Sequence, residues 1–202
     1  MKHTLPGFFL KIICTILLTL ALFSANAQTQ VLTITSPTDM VVDGGLTITV
    51  VRQAISDTSS LSYTIINSSG SAFVKSDAYI VGLQAGTVTI NVTSSGDSNY
   101  APASTSQIVS IARGTPTLDI ISSNQMSVGS TLTAAVTTSA TYARGGSFTF
   151  TINSGSGSAT VNPITGFIQA IAAGTVILAA GSSGDIDYNP GYTTQVITIG
   201  RG

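Results

Sequence analysis

The sequence predicts an all-β protein of two tandem β-sandwich domains with about seven strands each, preceded by a signal peptide. Three observations support this prediction. SSGDSNYAPASTSQIVSIARG at 94–114 returns as SSGDIDYNPGYTTQVITIGRG at 182–202, with eleven of the 21 aligned residues identical. Apolar residues recur at a spacing of two, which is typical of strands with one covered face. Only 7% of the residues are charged, and the many Thr and Ser residues suit half-exposed sheets.

The first element, residues 1–27, is predicted to be a signal peptide. Lys2 gives a basic start, residues 12–23 form an apolar run, and Ala25-Asn26-Ala27 fits the small-x-small pattern of a cleavage site. The run is too short to span a bilayer comfortably, so we favour cleavage after Ala27 over a retained anchor. Cys14 lies inside the apolar run, which does not fit a lipoprotein signal. We therefore expect a protein that is secreted or displayed on the cell surface, with no membrane span after cleavage.

Signal cleavage would remove the residues that most active sites require. The only His and the only Cys lie within residues 1–27, and the rest of the chain has no Trp and no Glu. Nucleophilic triads usually need His, and zinc, haem and iron–sulfur sites need His or Cys. Eight Asp residues outnumber the five remaining basic residues, which excludes electrostatic binding of nucleic acid. We therefore predict that the protein is not an enzyme and has no cofactor.

Glycosidase chemistry is the remaining catalytic alternative, because it needs only two carboxylates across a cleft. The candidate carboxylates all lie in or beside predicted turns, where Asp is expected to bond to the backbone. They are Asp43, Asp57, Asp77 and Asp119.

The internal repeat divides the mature chain into domains at 28–113 and 114–202. Matching residues are 86 apart near the start of each copy and 88 apart towards its end, and the glycine- and serine-rich segment SGSGSA at 154–159 takes up the difference. Insertions belong in loops. The period exceeds the roughly 20–50 residues of solenoid repeats, and it suits a small β-sandwich.

Alternating apolar and polar residues place the strands within each copy. Val88, Ile90 and Val92 alternate with Thr and Asn, which puts the apolar set on one face. Turns that contain Gly separate the runs. The predicted strands lie near 31–35, 46–52, 61–67, 71–74, 79–83, 87–94 and 105–112, and near 117–121, 131–137, 147–153, 158–161, 166–171, 175–181 and 193–199. The apolar run at 176–178 interrupts the alternation, and we expect it to be covered on both faces.

Two stretches resemble a known family. AGTVTINVTSSGDSNYAPA at 85–103 and AAGTVILAAGSSGDIDYNPG at 172–191 are similar to the C-terminal half of bacterial Ig-like repeats, the group-2 type (BIG2) related to invasin and intimin modules. The matching features are Gly166, the Ala-Gly-Thr turns at 85–87 and 173–175, and the Gly-Asp-x-x-Tyr corners at 96–100 and 184–188. The first copy departs from the pattern at Ala78-Tyr79-Ile80.

The resemblance covers most of residues 29–202 and implies two immunoglobulin-like β-sandwiches from a tandem array. It is specific for the fold and says little about function, because such modules serve as spacers in many different proteins.

Four residues are predicted to have structural roles. Gly86 and Gly174 can adopt a positive φ in a tight turn at no steric cost. Tyr100 and Tyr188 precede the last strand of each copy. We expect each ring to pack inwards with its hydroxyl bonded to the backbone, as in the tyrosine corner of immunoglobulin-type sandwiches.

Calcium is the one metal that the sequence leaves open. Asp185, Asp187 and Asn189 place oxygen-bearing side chains at alternate positions, as a calcium-binding loop begins. Pro190 stands where such a loop needs Gly, and no bidentate Glu can follow because the chain has none after cleavage. We therefore favour aspartates that form turns over a metal site.

Carbohydrate binding is the alternative function that the sequence leaves open. Sugar-binding platforms use exposed aromatic side chains, and the chain has no Trp. Tyr142 and Tyr192 are the candidates for ligand contact, because their counterparts in the other copy, Ser56 and Ser104, are not aromatic.

The function favoured by these observations is that of a non-catalytic spacer or adhesion module, with a surface protein or a glycan as its partner. The Arg-Gly pairs at 113–114 and 201–202 mark equivalent ends of the two copies. A fragment of a longer array with further Ig-like repeats would fit this pattern. Self-association is a further alternative, because long strands with few charges leave sheet edges poorly guarded.

Overall fold

The computed structural model describes residues 27–54, 56–141 and 147–202, except for the side chain of Ser154. All regular secondary structure in these ranges is β-strand, as the sequence predicts. The predicted signal peptide lies outside the described residues except for Ala27, so it stays a prediction. No helix in the described ranges is long and apolar enough to cross a membrane.

The described residues before Gly114 form the first sandwich, which has nine short strands. One sheet has the order β2-β9-β8-β5, the other has the order β3-β7-β6, and β1 pairs with β4 at the side. The strands are β1 (Leu32–Ile34), β2 (Asp39–Val41), β3 (Gly45–Thr47), β4 (Val50–Arg52), β5 (Leu61–Asn67), β6 (Ser71–Ser76), β7 (Tyr79–Gln84), β8 (Gly86–Ser94) and β9 (Ala103–Ala112).

The described residues after Gly114 repeat the same arrangement as a second sandwich. Its sheets have the orders β11-β18-β17-β14 and β12-β16-β15, and β10 pairs with β13. The strands are β10 (Leu118–Ile120), β11 (Gln125–Ser127), β12 (Thr131–Thr133), β13 (Val136–Thr138), β14 (Phe148–Ser154), β15 (Ser158–Val161), β16 (Phe167–Ala172), β17 (Gly174–Ser182) and β18 (Gly191–Gly200).

The strand order makes both sandwiches immunoglobulin-like. In the first sandwich, β1, β3 with β4, β7 and β6 correspond to the A, B, E and D strands, and β5, β8 and β9 correspond to C, F and G. The first strand is split between the sheets: β1 pairs antiparallel with β4, whereas β2 runs parallel to β9. The long β8–β9 pair has a register of nine residues, from Gly86 opposite Ile111 to Ser94 opposite Ala103.

The structure differs from the sequence prediction in how it divides the strands. The predicted strand at 46–52 is two strands, β3 and β4, which pair with different partners. Between them Ile48 turns into the core, and its N–H donates to the carbonyl of Ala78 at 2.6 Å. Strands β2 and β11 were not predicted, because three residues show too little alternation and their partner strands lie far away in sequence.

The core of each sandwich lies between its two sheets. Val88, Ile90 and Val92 of β8 are fully buried, and Val176 and Leu178 of β17 take the equivalent places in the second core. Thr89 and Asn91, which lie between the core residues of β8, are half-buried on the opposite face. The prediction that the run at 176–178 is covered on both faces is wrong. The side chain of Ile177 is 40% exposed, because it lies on the wet face of its sheet between two core residues.

Candidate functional site

The corner before β18 is shaped by a side chain that bonds to its own backbone. Oδ1 of Asp185 accepts hydrogen bonds from the N–H groups of Asp187 and Tyr188, both at 2.8 Å. Gly184 precedes the turn with φ of 70°, a conformation that favours glycine. Asp is common in such turns because its short carboxylate reaches the N–H groups two and three residues further on.

The linker between the sandwiches is bonded to this corner. Gly114 forms a parallel bridge with Tyr188. Its N–H donates to the carbonyl of Asp187 at 2.9 Å, and its carbonyl accepts from the N–H of Asn189 at 2.8 Å. The guanidinium of Arg113 donates to the carbonyls of Asp185 and Tyr188. The last residues of the first sandwich are therefore held against the second one.

The side chain of Tyr188 crosses from the second sandwich into the first. It is only 3% exposed and packs in the cluster that contains Met40 and Val42. Its hydroxyl donates to Oδ2 of Asp43 at 2.6 Å, and the N–H of Thr141 donates to the same oxygen at 3.0 Å. The ring thus buries apolar area while its polar tip reaches a charged acceptor.

A second side chain, the carboxylate of Asp187, crosses in the same direction. Asp187 has no exposed surface, and its Oδ1 accepts a hydrogen bond from the N–H of Ala85 at 2.8 Å. Asp43 itself has φ of 63°, a left-handed conformation in which Asp is tolerated better than most residues. We call this contact the joint and define it by Asp43, Ala85, Gly114, Asp187 and Tyr188. A buried ring and three hydrogen bonds to carboxylates, one of them from the Thr141 N–H, hold the two sandwiches together at the joint.

Tyr100 occupies the equivalent corner of the first sandwich. Oδ1 of Asp97 accepts from the N–H groups of Asn99 at 2.7 Å and Tyr100 at 2.9 Å, and Gln28 pairs with Tyr100 as Gly114 pairs with Tyr188. The half-buried Tyr100 shares a hydrogen bond of 2.7 Å with the hydroxyl of Ser56. The sequence predicted backbone acceptors for both tyrosine hydroxyls. The structure gives each of them a side-chain partner, and the partner of Tyr188 lies in the other sandwich.

Gly86 and Gly174 lie where two loops approach each other. Their φ angles are 137° and 133°. A Cβ on Gly86 would lie 2.4 Å from the backbone nitrogen of Gly70, and a Cβ on Gly174 would lie 2.4 Å from that of Gly157. These positions therefore require glycine for space as well as for backbone conformation. Gly86 follows Ala85, so this turn also positions an N–H group of the joint.

The three calcium candidates take part in the joint or its corner. Asp185 accepts two backbone hydrogen bonds, Asp187 accepts one from Ala85, and Nδ2 of Asn189 donates to the hydroxyl of Thr115 at 3.1 Å. Within the described ranges, no group of three or more acidic, His or Cys residues is arranged to hold a metal ion. The oxygen atoms that suggested calcium are those that shape the turn and reach across the joint.

The two tyrosines predicted to contact a ligand do not come together in the described structure. Tyr192 lies on the outer face of β18 opposite Gly181 and is 68% exposed. Tyr142 lies outside the described residues. The neighbouring outward positions Thr194 and Val196 are also exposed, so Tyr192 stands on an open sheet face without charged neighbours on its own strand.

A polar cluster near the Tyr100 corner was not predicted from the sequence. The Arg52 guanidinium lies 3.1 Å from Oδ2 of Asp57 and also donates to the Asp57 carbonyl. Oδ1 of Asp57 accepts from the N–H of Ser59 at 2.8 Å. Burial alone would raise the pKa of the Asp57 carboxyl, but the Ser59 hydrogen bonds and the Arg52 charge outweigh it, so the pKa is lowered. The signal in the sequence was a charged pair five residues apart in only one copy.

We expect the lowered pKa of Asp57 to make the first sandwich less stable in acid. A carboxyl whose pKa is lower in the folded state stabilises the fold above its unfolded pKa of about 3.9, and this contribution is lost as the pH falls through the folded pKa. Urea unfolding of the wild type and Asp57→Asn between about pH 6 and pH 2 measures it. The wild type should be the more stable at the upper end, and the difference should shrink towards the lower end. A difference that is constant over this range would contradict the prediction.

Comparison with known proteins places the chain in no family. No protein-family model matches it, and no curated protein sequence matches it. Similar solved structures include Drosophila N-cadherin EC1-3, with 10% identity, 88% of this chain and 69% of that chain covered, and a TM-score of 0.35. The fibronectin(III)-like modules of Clostridium thermocellum CbhA have 12% identity, coverage of 85% and 95%, and a TM-score of 0.35.

A third similar structure is the C-terminal 282-residue fragment of intimin in complex with the intimin-binding domain of its translocated receptor. It has 15% identity and a TM-score of 0.32, and the match covers 84% of this chain and 64% of that fragment. At identities of 10–15% these similarities indicate no function. The immunoglobulin-like fold is assigned from the strand order.

Proposed function

We propose that this protein is a non-catalytic, exported pair of bacterial Ig-like modules that acts as a stiff spacer or adhesion element at the cell surface. The single observation that carries the proposal is the joint. Modules that are merely strung together keep independent motion, because interfaces between domains are usually small and polar. Here a fully buried carboxylate and a ring with 3% exposure cross from one sandwich to the other, which supports a fixed angle between them.

Export is supported by the sequence. The apolar run and the Ala25-Asn26-Ala27 cleavage pattern fit a signal peptide, and the mature composition contains no His or Cys for catalysis. Membership of the group-2 bacterial Ig-like family is part of the same proposal and is supported by the Gly-Asp-x-x-Tyr corners. The intact mass of the native protein in each cell fraction tests export. A mature species that begins at Gln28 in the medium or on the surface supports export, and retention of Met1 contradicts it. A much larger species would mean that the pair is a spacer within a longer array.

We expect the two sandwiches to tumble as one body in solution. Backbone ¹⁵N relaxation of the mature chain should give the amides of β8 and β17 the same long rotational correlation time, that of the whole mature chain and not of one module. The matched control is an insertion of several Gly-Ser pairs after Gly114, which should shorten both values towards that of a single module because the linker would no longer hold the corner in place. Short correlation times in the wild type, equal to those of the variant with the Gly-Ser insertion, would contradict a stiff spacer.

Carbohydrate or matrix binding is a second candidate function, and the exposure of Tyr192 favours it. A flat, uncharged face with hydroxyl groups and one projecting ring suits a neutral glycan better than an acidic one, because no cation stands on the exposed positions of β18. A glycan partner would use the outer face of the second sandwich and leave the joint undisturbed.

We expect Tyr192→Ala to weaken retention on neutral polysaccharides at least about fivefold if this second function is correct, since stacking on an exposed ring is worth about 1 kcal/mol or more. Affinity electrophoresis through gels that contain soluble neutral polysaccharides measures it. The matched control is Tyr63→Phe, a conservative change on an inner position of β5. Equal migration of wild type and Tyr192→Ala in every gel would remove this candidate.

A further inference from the structure

The internal repeat gives each residue of the joint a counterpart at an outer end of the chain. The backbone is the same at both places. The N–H of Asp43 donates to the Gly82 carbonyl at 3.0 Å, and the N–H of Gly129 donates to the Ala170 carbonyl at 2.9 Å. The side chains differ. Asp43 corresponds to Gly129, Gly114 to Gln28, Asp187 to Asn99 and Tyr188 to Tyr100.

The turn that receives Tyr188 has a counterpart in the second sandwich, and this counterpart has no side-chain acceptor because Gly129 takes the place of Asp43. Both turns are left-handed, with φ of 63° at Asp43 and 84° at Gly129. Glycine is the unstrained residue there, so an Asp at that position adds backbone strain. At Asp43 the carboxylate binds the Tyr188 hydroxyl and the Thr141 N–H. A Cβ on Gly129 would meet nothing within 4 Å, so space alone does not explain the glycine.

The corner of the first sandwich also differs from the corner that forms the joint. A Cβ on Gly114 would lie 3.1 Å from the carbonyl oxygen of Val42 and 3.1 Å from the Tyr188 ring. Its counterpart Gln28 carries that Cβ and a long side chain, which would obstruct the same approach to a turn. Tyr100 has its hydroxyl bonded to Ser56 of its own sandwich, whereas the Tyr188 hydroxyl reaches another sandwich.

We propose that the joint is specific to these two sandwiches in this order, with Asp43, Gly114 and Asp187 as the residues that determine the pairing. Neither outer end supports an equivalent joint with a second copy of the chain. The strained Asp43 is retained because it holds the partner sandwich. This inference rests on the proposed function as a stiff pair, and it specifies which ends of the sandwiches can form a joint. A module that binds an outer end must therefore use different contacts.

The test places each outer-end residue into the joint of the full mature chain. The variants are Asp43→Gly, Gly114→Gln and Asp187→Asn, and the control is Gly129→Asp, which makes the reverse change at the outer end. The readouts are ¹⁵N correlation times of both sandwiches and hydrogen exchange of the Ala85 N–H. Exchange reports local opening. Asp187→Asn keeps a side-chain oxygen that can accept this bond but removes its charge, so exchange should be faster, by less than the about 10- to 100-fold that corresponds to losing a hydrogen bond to a charged group.

We expect Asp43→Gly and Gly114→Gln to shorten the correlation times of both sandwiches, and Asp187→Asn to accelerate exchange at Ala85, while amide chemical shifts show that both sandwiches stay folded. Asp43→Gly should fold readily because it relieves strain. Gly129→Asp should tumble like the wild type. Variants of Asp43 and Gly114 that keep the long correlation time of the wild type would overturn the pairing rule. A wild type that already tumbles as two bodies would instead overturn the stiff spacer itself, so the two failures are distinguishable.

The outer ends are tested separately by sedimentation of the wild type over a wide concentration range. A constant monomer mass supports the proposal that neither outer end forms a joint with a second copy. An end-to-end association that Tyr100→Ser abolishes would overturn this proposal, because it would show that Tyr100 binds another copy as Tyr188 binds the first sandwich.

Discussion

Replacing Tyr188 by Ala destabilises the first sandwich, although Tyr188 belongs to the second copy of the repeat. The ring lies in the cluster of the first core with 3% exposure, and removal of a buried aromatic side chain costs about 3–5 kcal/mol. Oδ2 of Asp43 also loses the hydrogen bond of 2.6 Å that the Tyr188 hydroxyl donates. The free energy of unfolding of each sandwich can be measured separately by residue-resolved hydrogen exchange or by NMR in urea.

Two controls separate the contributions of the ring and its hydroxyl. Tyr188→Phe keeps the ring and loses the hydrogen bond to a charged acceptor, which corresponds to about 1.5–3 kcal/mol. Tyr192→Ala makes the same truncation on an open face and should leave both stabilities within about 0.5 kcal/mol. If Tyr188→Ala lowers the stability of the second sandwich alone, the ring serves its own domain and the joint is not an energetic link.

Gly86→Ala has the second large expected effect. A residue with a Cβ is strained by about 1–3 kcal/mol in such a backbone conformation, and φ here is 137°. The new methyl group would lie 2.4 Å from the backbone of Gly70 and of Ser69, so the two loops would have to move apart. We expect a loss of about 3 kcal/mol or more in the first sandwich, together with faster exchange of the neighbouring Ala85 N–H, measured by urea unfolding and hydrogen exchange.

Gly181→Ala is the matched control, because a Cβ there meets its nearest atoms at 3.7–3.8 Å, an ordinary contact. An alanine in this strand should be neutral or stabilise by up to about 1 kcal/mol, since glycine loses more conformational entropy on folding. Gly174→Ala should repeat the effect of Gly86→Ala in the second sandwich. A Gly86→Ala variant as stable as the wild type would show that the loops adjust freely.

Much of the fold could be predicted because its signals are local. The alternation of Val88, Ile90 and Val92 determines which side of β8 is buried, whatever the strand packs against. Where the signal was short or its partner distant, prediction failed. Three residues at β2 carry no visible period, and the division of the predicted strand at 46–52 depends on which sheet each half joins.

The candidate site was predictable only in part. The sequence identifies the residues of the corner, since Tyr100 and Tyr188 stand in the same motif. The sequence indicates Asp43 as a turn residue or, less favoured, a catalytic carboxylate, and its contact with Tyr188 spans 145 positions of the chain. The difference between Asp43 and Gly129 was present in the sequence, but it has meaning only when the facing sandwich is known.

The sequence by itself determined the repeated β-sandwich, the glycine turns and the absence of His and Cys after residue 27, because each follows from residue type and short-range spacing. Only the tertiary structure decided that the two copies of one corner do different things. Both corners have the same local backbone and the same Asp turn. Tyr100 shares a hydrogen bond with Ser56 of its own sandwich. Tyr188 enters the core of the first sandwich, because the Asp43 carboxylate and an apolar cluster lie where its ring reaches.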